Sequence, residues 1–443
     1  MNALKNLRGM GPLCLLLALI AWSASAEDVK VDVAVDTPAV LAKGKPVVHL
    51  RVALTGGDIR AGNTRPPVNV CLVIDKSGSM TGAKLEKAKM SALMALERLS
   101  GEDIVSVVAY SSAVNVLVPA TRASDRAFIV NAINSIQPDG STALFAGVSK
   151  GAEELRKFLD KNRVNRIVLL SDGIANVGPS SPGDLGALGA SLSREGMVVT
   201  TIGYGLDYNE DLMVRLAQAS DGNHMFAEGP EDVEKAFQKE FGDVLTVVAQ
   251  EIRIQVNCAS DVRPVRMLGR EAEISNNSVT ANISQLYAGQ TKYILLETEL
   301  PEGGAGGARQ IASVNISFVN MLSHSSENRT LLAGPVEYVD SEATVEARTN
   351  REVAISVARQ IGNENTVKAA ELVDRGGSML GVPRFVDNAS ELSRKAAQLN
   401  SPELAEDARK NAAFAHSDLD NNWKKERKSL REMQQSIKQQ QKQ

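Results

Sequence analysis

Three short segments of this 443-residue chain carry oxygen-bearing side chains of the kind that hold a hard metal ion. The first, Asp75-Lys76-Ser77-Gly78-Ser79, follows directly on the apolar run Leu72-Val73-Ile74. Positions 75, 77 and 79 alternate, so one carboxylate and two hydroxyls can turn toward a single point. The second, Asp139-Gly140-Ser141-Thr142, stands in the loop before a helical stretch that starts at Leu144, and the third, Ser171-Asp172-Gly173, ends the apolar run from Ile167 to Leu170. In an open α/β sheet, ligands bind outside the carboxyl ends of the strands, which is where these segments fall. Asp75, Ser77, Ser79, Thr142 and Asp172 are therefore the candidate metal ligands, with neither His nor Cys among them. All-oxygen ligation suits a hard divalent cation and not zinc or copper. Only two carboxylates face the ion and hydroxyls are weak ligands, so a further position is open to an acidic side chain from outside. The set reads as a metal-dependent docking site. An Asp-x-Ser-x-Ser alone has a plainer meaning, because Asp and Ser favour turns and Ser79 or Thr81 can cap the helix at Leu85. The three segments in order, each at a strand end or adjoining loop, favour the metal. Asp139 reads as a turn residue and Lys76 as a solvated one.

These segments need a rigid frame, and residues 67–246 supply its pattern. Val68–Ile74, Ile104–Tyr110, Arg166–Leu170 and Val198–Ile202 are short, nearly continuous apolar runs, as expected of strands covered on both faces, and Val114–Val118 reads as a short edge strand. Between them, Leu85–Leu99, Leu144–Leu159, Gly183–Arg194, Asn209–Ala219 and Glu231–Val244 have helical spacing. The alternation implies an α/β domain with a doubly wound, mainly parallel sheet. Residues 27–66 alternate with period two around Ala42-Lys43-Gly44-Lys45 and read as a strand pair. Residues 247–340 are strands without helices, a β-sandwich-like region that the strands of 27–66 are expected to complete, since two isolated strands are marginal alone. Residues 341–443 form a helical region whose Gln- and Lys-rich end, from Asn421, reads as a frayed helix or disordered tail.

Leu72 to Met80, Gly140 to Leu144 and Leu169 to Gly173 resemble the three parts of the metal-ion-dependent adhesion site of von Willebrand factor type A domains. The resemblance covers residues 67–246. It implies an Mg2+, Mn2+ or Ca2+ ion, Mg2+ first, held directly by Ser77, Ser79 and sometimes Thr142, with Asp75 and Asp172 often acting through water. The partner it implies is a protein offering an Asp or Glu. The flanking strands resemble a bacterial exported branch related in layout to inter-alpha-trypsin inhibitor heavy chains and calcium-activated chloride channel homologues. The channel label is not carried over, because the sequence holds no spanning segment after residue 26.

Composition narrows the function classes. The chain is 43% apolar and 23% charged, which is too apolar for a disordered chain, and with 4% aromatics and a formal charge of −4 it has neither the basic face nor the stacking platforms of a nucleic-acid binder. Lys5 and Arg8, the apolar run Leu13 to Trp22 and Ala24-Ser25-Ala26 predict a cleaved signal peptide over 1–26 and a periplasmic or secreted product. Cys14 would leave with it, and Cys71 and Cys258 are expected as buried free thiols. No phosphate loop, nucleophile elbow or Ser-x-x-Lys motif is present, and His49, His224, His324 and His416 are scattered. The expectation is a non-enzymatic binding module. The alternative is a structural or assembly protein of the cell envelope in which the metal only stabilises the loops.

Overall fold

The computed structural model describes residues 28–59 and 65–441. The expected signal peptide and Cys14 lie outside the described residues.

Six strands form one sheet in the order Val114–Arg122, Ile104–Tyr110, Val68–Asp75, Val164–Ser171, Met197–Tyr204 and His224–Ala227. All neighbours are parallel except the first pair, where Val114–Arg122 runs antiparallel along the edge. Every residue of the four inner strands is buried, which explains their unbroken apolar runs. The period of two still sorts their side chains. Leu72, Ile74 and Val107 face one layer with Leu85, Ile129 and Phe237, whereas Val73, Val108 and Leu169 face the other with Val148, Leu192 and Leu216. The chain leaves Val68–Asp75 first toward one edge and later returns to the opposite side, so the strand order reverses there. Such a reversal opens a crevice at the carboxyl end of the strand, immediately beyond Asp75. Two elements escape the sequence pattern: helix Arg126–Asn134, capped by Asp125, and the four-residue strand His224–Ala227.

The flanking β region is a sandwich. One sheet has the order Val29–Val35, Val47–Gly56, Thr291–Glu299, Arg263–Leu268, and the other Glu273–Ser275, Ser278–Tyr287, Val247–Cys258, Ala312–Asn320, Ser325–Ala333. Val47–Gly56 pairs with Val29–Val35 on one side and Thr291–Glu299 on the other. Strands from before the α/β unit thus share a sheet with strands from after it, and the unit is inserted between them. Val48, Leu50, Val52 and Leu54 pack from one sheet against Ile254, Ile283 and Ile316 of the other. Cys71 and Cys258 are both buried and unbridged.

Helices Arg351–Gly376, Ser378–Gln398 and Pro402–His416 pack together, the first also against Ala53 and Leu295 of the sandwich through Val353 and Val357. Leu419–Lys438 then returns to the α/β unit, so the segment read as frayed or disordered is a docked helix. Its Lys428 is buried, with Nζ 2.8 Å from the Tyr208 carbonyl, 2.5 Å from Glu210 Oε2 and 4.1 Å from the Tyr208 ring centroid. Arg427 adds ion pairs to Glu210, Asp211 and Asp374. Few apolar residues are needed because these carboxylates, distant in sequence, meet its charges.

Candidate functional site

Asp75 closes its strand with its carboxylate buried in the crevice. Oδ1 accepts the Ser77 backbone N–H at 2.8 Å, while Oδ2 accepts the Ser171 hydroxyl at 2.6 Å and faces the Tyr110 hydroxyl at 3.4 Å. Burial raises the carboxyl above its usual range against the opposing hydrogen bonds of Ser171 and Ser77, and the charge of Asp172 raises it further. Among the described residues, no basic side chain pairs with it.

The next turn is short. Ser77, Gly78 and Ser79 enter a single 3-10 turn, which brings the Ser77 and Ser79 hydroxyls to 3.0 Å from each other. Ser79 then donates to Asp172 Oδ1 at 2.7 Å. Neither Ser79 nor Thr81 caps the following helix, which starts after Gly82 without a side-chain cap. Instead, the Thr81 hydroxyl reaches the Gly78 carbonyl at 2.7 Å. The capping alternative is therefore not what these hydroxyls do.

Thr142 arrives from the loop before helix Leu144–Arg156. Its backbone N–H donates to Asn176 Oδ1 at 2.8 Å, and its carbonyl accepts the Asn176 N–H at 3.1 Å, so the second and third segments are stitched together. Gly173 makes the convergence measurable. A Cβ placed there would lie 2.8 Å from Thr142 Oγ1, 3.5 Å from Ser79 Oγ and 3.6 Å from Asp75 Oδ2. Three of the five expected oxygens surround one point, a fourth belongs to Asp172, hydrogen-bonded to Ser79, and Ser77 adjoins Ser79. A carboxylate pair with neutral hydroxyls in this cradle is a donor set that fits a hard divalent cation.

Around this cluster the structure gives residues roles that the sequence pattern did not assign. Ser171 and Tyr110 hold Asp75 from behind, and Lys84 places Nζ 2.5 Å from Asp172 Oδ2. Lys76 is not solvated as expected: it is buried, and Nζ lies 2.6 Å from Asp139 Oδ1. Asp139 also takes the Ser111 hydroxyl, and the Lys76 hydrogen bond holds its carboxyl below the usual range. Loops 111–115 and 176–183 contribute Ser111 and Asn176 to the walls of the site. Leu206–Asp211 is engaged by the C-terminal helix through Asp207, Tyr208, Glu210 and Asp211. His224 stands apart, buried with Nδ1 2.8 Å from Thr201 Oγ1, and burial pushes its ring down to about 3.

Residues 69–239 match the family model of the von Willebrand factor type A domain. The chain contains a von Willebrand factor type A domain over these residues. Such domains mediate protein–protein interaction, commonly bind a divalent cation and are typically non-enzymatic. Among curated proteins, the chain is similar to the uncharacterized protein YfbK of Escherichia coli, 29% identical over 290 residues that make up 64% of this chain and 49% of that protein. An inter-alpha-trypsin inhibitor heavy chain of Homo sapiens is 31% identical over 173 residues, 36% of this chain and 19% of its own length. The chain thus spans about half, or less, of the curated relatives it matches. A solved von Willebrand factor type A protein from Catenulispora acidiphila superimposes with a TM-score of 0.68 at 16% identity, covering 85% of this chain and 89% of the other, which shows a shared fold. Among the described residues no helix is long and apolar enough to cross a membrane.

Proposed function

We propose that this chain is an exported, non-enzymatic protein-binding module that uses a divalent cation, Mg2+ first, with Mn2+ or Ca2+ as alternatives, to capture an Asp or Glu of a partner protein. Asp75, Ser77, Ser79, Thr142 and Asp172 would hold the ion. The observation that carries the reading is the cradle at Gly173, where oxygens from all three segments converge beside a buried Asp75 that has no basic partner among the described residues. A buried carboxylate without a counter-charge is costly, and a bound cation would compensate it. When bound, the ion supplies a Lewis-acidic position for an incoming carboxylate. The chain's own residues do the rest. Ser171 and Tyr110 fix the Asp75 carboxylate, Asn176 fixes the Thr142 backbone, and the 3-10 turn aligns Ser77 with Ser79. Export rests on the charged start, apolar run and small-residue site of residues 1–26.

The experiment is capture from envelope extract by the full chain in Mg2+, in EDTA, and with Asp75→Ala. The expected result is a partner retained only by the wild type in Mg2+ and released by an Asp-containing competitor peptide. Identical capture in all lanes would overturn the reading. That outcome would favour the assembly alternative, which has one observation of its own: Ser77, Ser79, Asp172 and Lys84 already form a connected network of hydrogen bonds that a cation would merely stiffen.

A further inference from the structure

Lys84 is the second residue of helix Ala83–Glu97, and its side chain reaches Asp172 in the crevice. Its ammonium is 2.5 Å from Asp172 Oδ2 and 5.7 Å from the centroid of the Tyr204 ring, which lies at the end of the neighbouring strand. A Cβ on Gly205 would come within 3.5 Å of the same nitrogen. The side chain is 32% exposed, whereas the Asp172 carboxylate is fully buried. Asp172 therefore divides its two oxygens. Oδ1, toward Ser79, belongs to the cradle, and Oδ2 is already neutralised.

This division has an electrostatic consequence. Two carboxylates opposite a doubly charged ion would bring the site to zero net charge and leave little pull on an incoming anion. With the ammonium of Lys84 fixed beside Asp172, the loaded site keeps one positive charge. We propose that Lys84 is a specificity-determining residue that weakens the hold on the cation and in exchange makes the loaded site select an anionic group, a carboxylate, from the partner. The inference rests on the metal-site reading above and deepens it. Tyr204 acts as the positioning residue for Lys84, since the ring face attracts the ammonium and limits where it can swing.

The two effects have opposite signs, which separates this role from a structural one. A residue that merely supports the loop weakens both bindings when it is removed. Mn2+ titration by calorimetry, followed by titration of glutarate into the Mn2+-loaded full-length protein, reads both quantities. Lys84→Met should tighten Mn2+ about tenfold and weaken glutarate by about the same factor, the scale expected for one unit charge a few ångströms from a partly exposed site. Lys84→Gln should do the same with a polar side chain, and Lys84→Arg should restore wild-type behaviour. If Lys84→Met and Lys84→Gln leave both affinities unchanged or weaken both, the role assigned to Lys84 is wrong. Asp75→Asn separates that failure from failure of the metal site. Loss of Mn2+ in Asp75→Asn keeps the site, so that the failure then falls on Lys84 alone, whereas wild-type Mn2+ binding in Asp75→Asn overturns the site and this inference with it.

Discussion

The strand Val164–Ser171 carries buried charge near both of its ends, and the two ends handle it differently. Near the amino end, Arg166 is fully buried with Nη1 2.9 Å from Thr200 Oγ1 and 3.2 Å from Glu240 Oε1, and Nη2 2.7 Å from the Tyr287 hydroxyl. Glu240 is buried too and also takes Thr200 at 2.7 Å and Asn223 at 3.1 Å. Close by, Asp221 pairs with Arg270 at 2.7 Å and accepts the Ser284 N–H at 2.6 Å. This end is the joint between the α/β unit and the sandwich, and Glu240 and Asp221 there each face a base that the chain itself provides. At the carboxyl end, the Lys84 ammonium pairs with Asp172 alone, and Asp75 meets no basic side chain among the described residues. A joint has to be satisfied in the folded chain, whereas a binding site can be left short of positive charge and filled from solution.

The largest effect should come from breaking the compensated end. Arg166→Met leaves Glu240 buried without its counter-charge, which costs on the order of 3–5 kcal/mol. Urea unfolding should show this loss, and adding Glu240→Gln should recover most of it. Next, Mg2+ at a hundred times its dissociation constant should stabilise the wild type by about 2.7 kcal/mol, since the ion binds only the folded chain. Gly173→Ala places a methyl 2.8 Å from Thr142 Oγ1 and should remove that gain while the protein stays folded in chelator. A melting curve that still shifts in this variant would move the cation elsewhere.

A pH series sharpens the contrast further. Burial alone would raise the Asp221 carboxyl, but Arg270, Lys292 and the Ser284 N–H hold it down at about 2. A depressed carboxyl contributes stability that is complete above the unfolded value near 4 and is lost as pH falls toward 2. The loss amounts to roughly 2 kcal/mol. Asp221→Asn should flatten stability over that window, and an unchanged slope would mean that the joint does not depend on this charge. The smallest effect belongs to Lys424, whose pair with Asp207 spans 2.7 Å between two exposed side chains. Lys424→Ala should cost less than about 1 kcal/mol, and less still in high salt.

How much of this was legible depended on how local each signal is. The doubly wound sheet could be read because its inner strands are continuous apolar runs, and Asp75, Ser77, Ser79, Thr142 and Asp172 could be proposed because each directly follows such a run or precedes a helix. Lys84 was not, because among Lys84, Lys87 and Lys89 nothing in the sequence marks the one that meets a carboxylate 88 positions away. Ser171 stood in the third segment without a role of its own until the fold set its hydroxyl against Asp75. Lys76 looked solvated because its partner Asp139 comes from another loop. The C-terminal helix misled for a related reason. A Gln- and Lys-rich stretch has too few apolar residues to suggest docking, and the groups that bury Lys428 belong to Tyr208 and Glu210, far upstream.

The most direct test is the melting temperature of wild type and Asp75→Asn, each in EDTA and in saturating Mg2+. If the carboxyl end lacks a cation that solution supplies, the wild type rises in Mg2+. Asp75→Asn, having lost a buried charge and a ligand together, melts no lower than the wild type in EDTA and does not respond to the ion. Equal responses to Mg2+ in both proteins, with Asp75→Asn the less stable in EDTA, would contradict the account and make Asp75 a structural residue like Glu240.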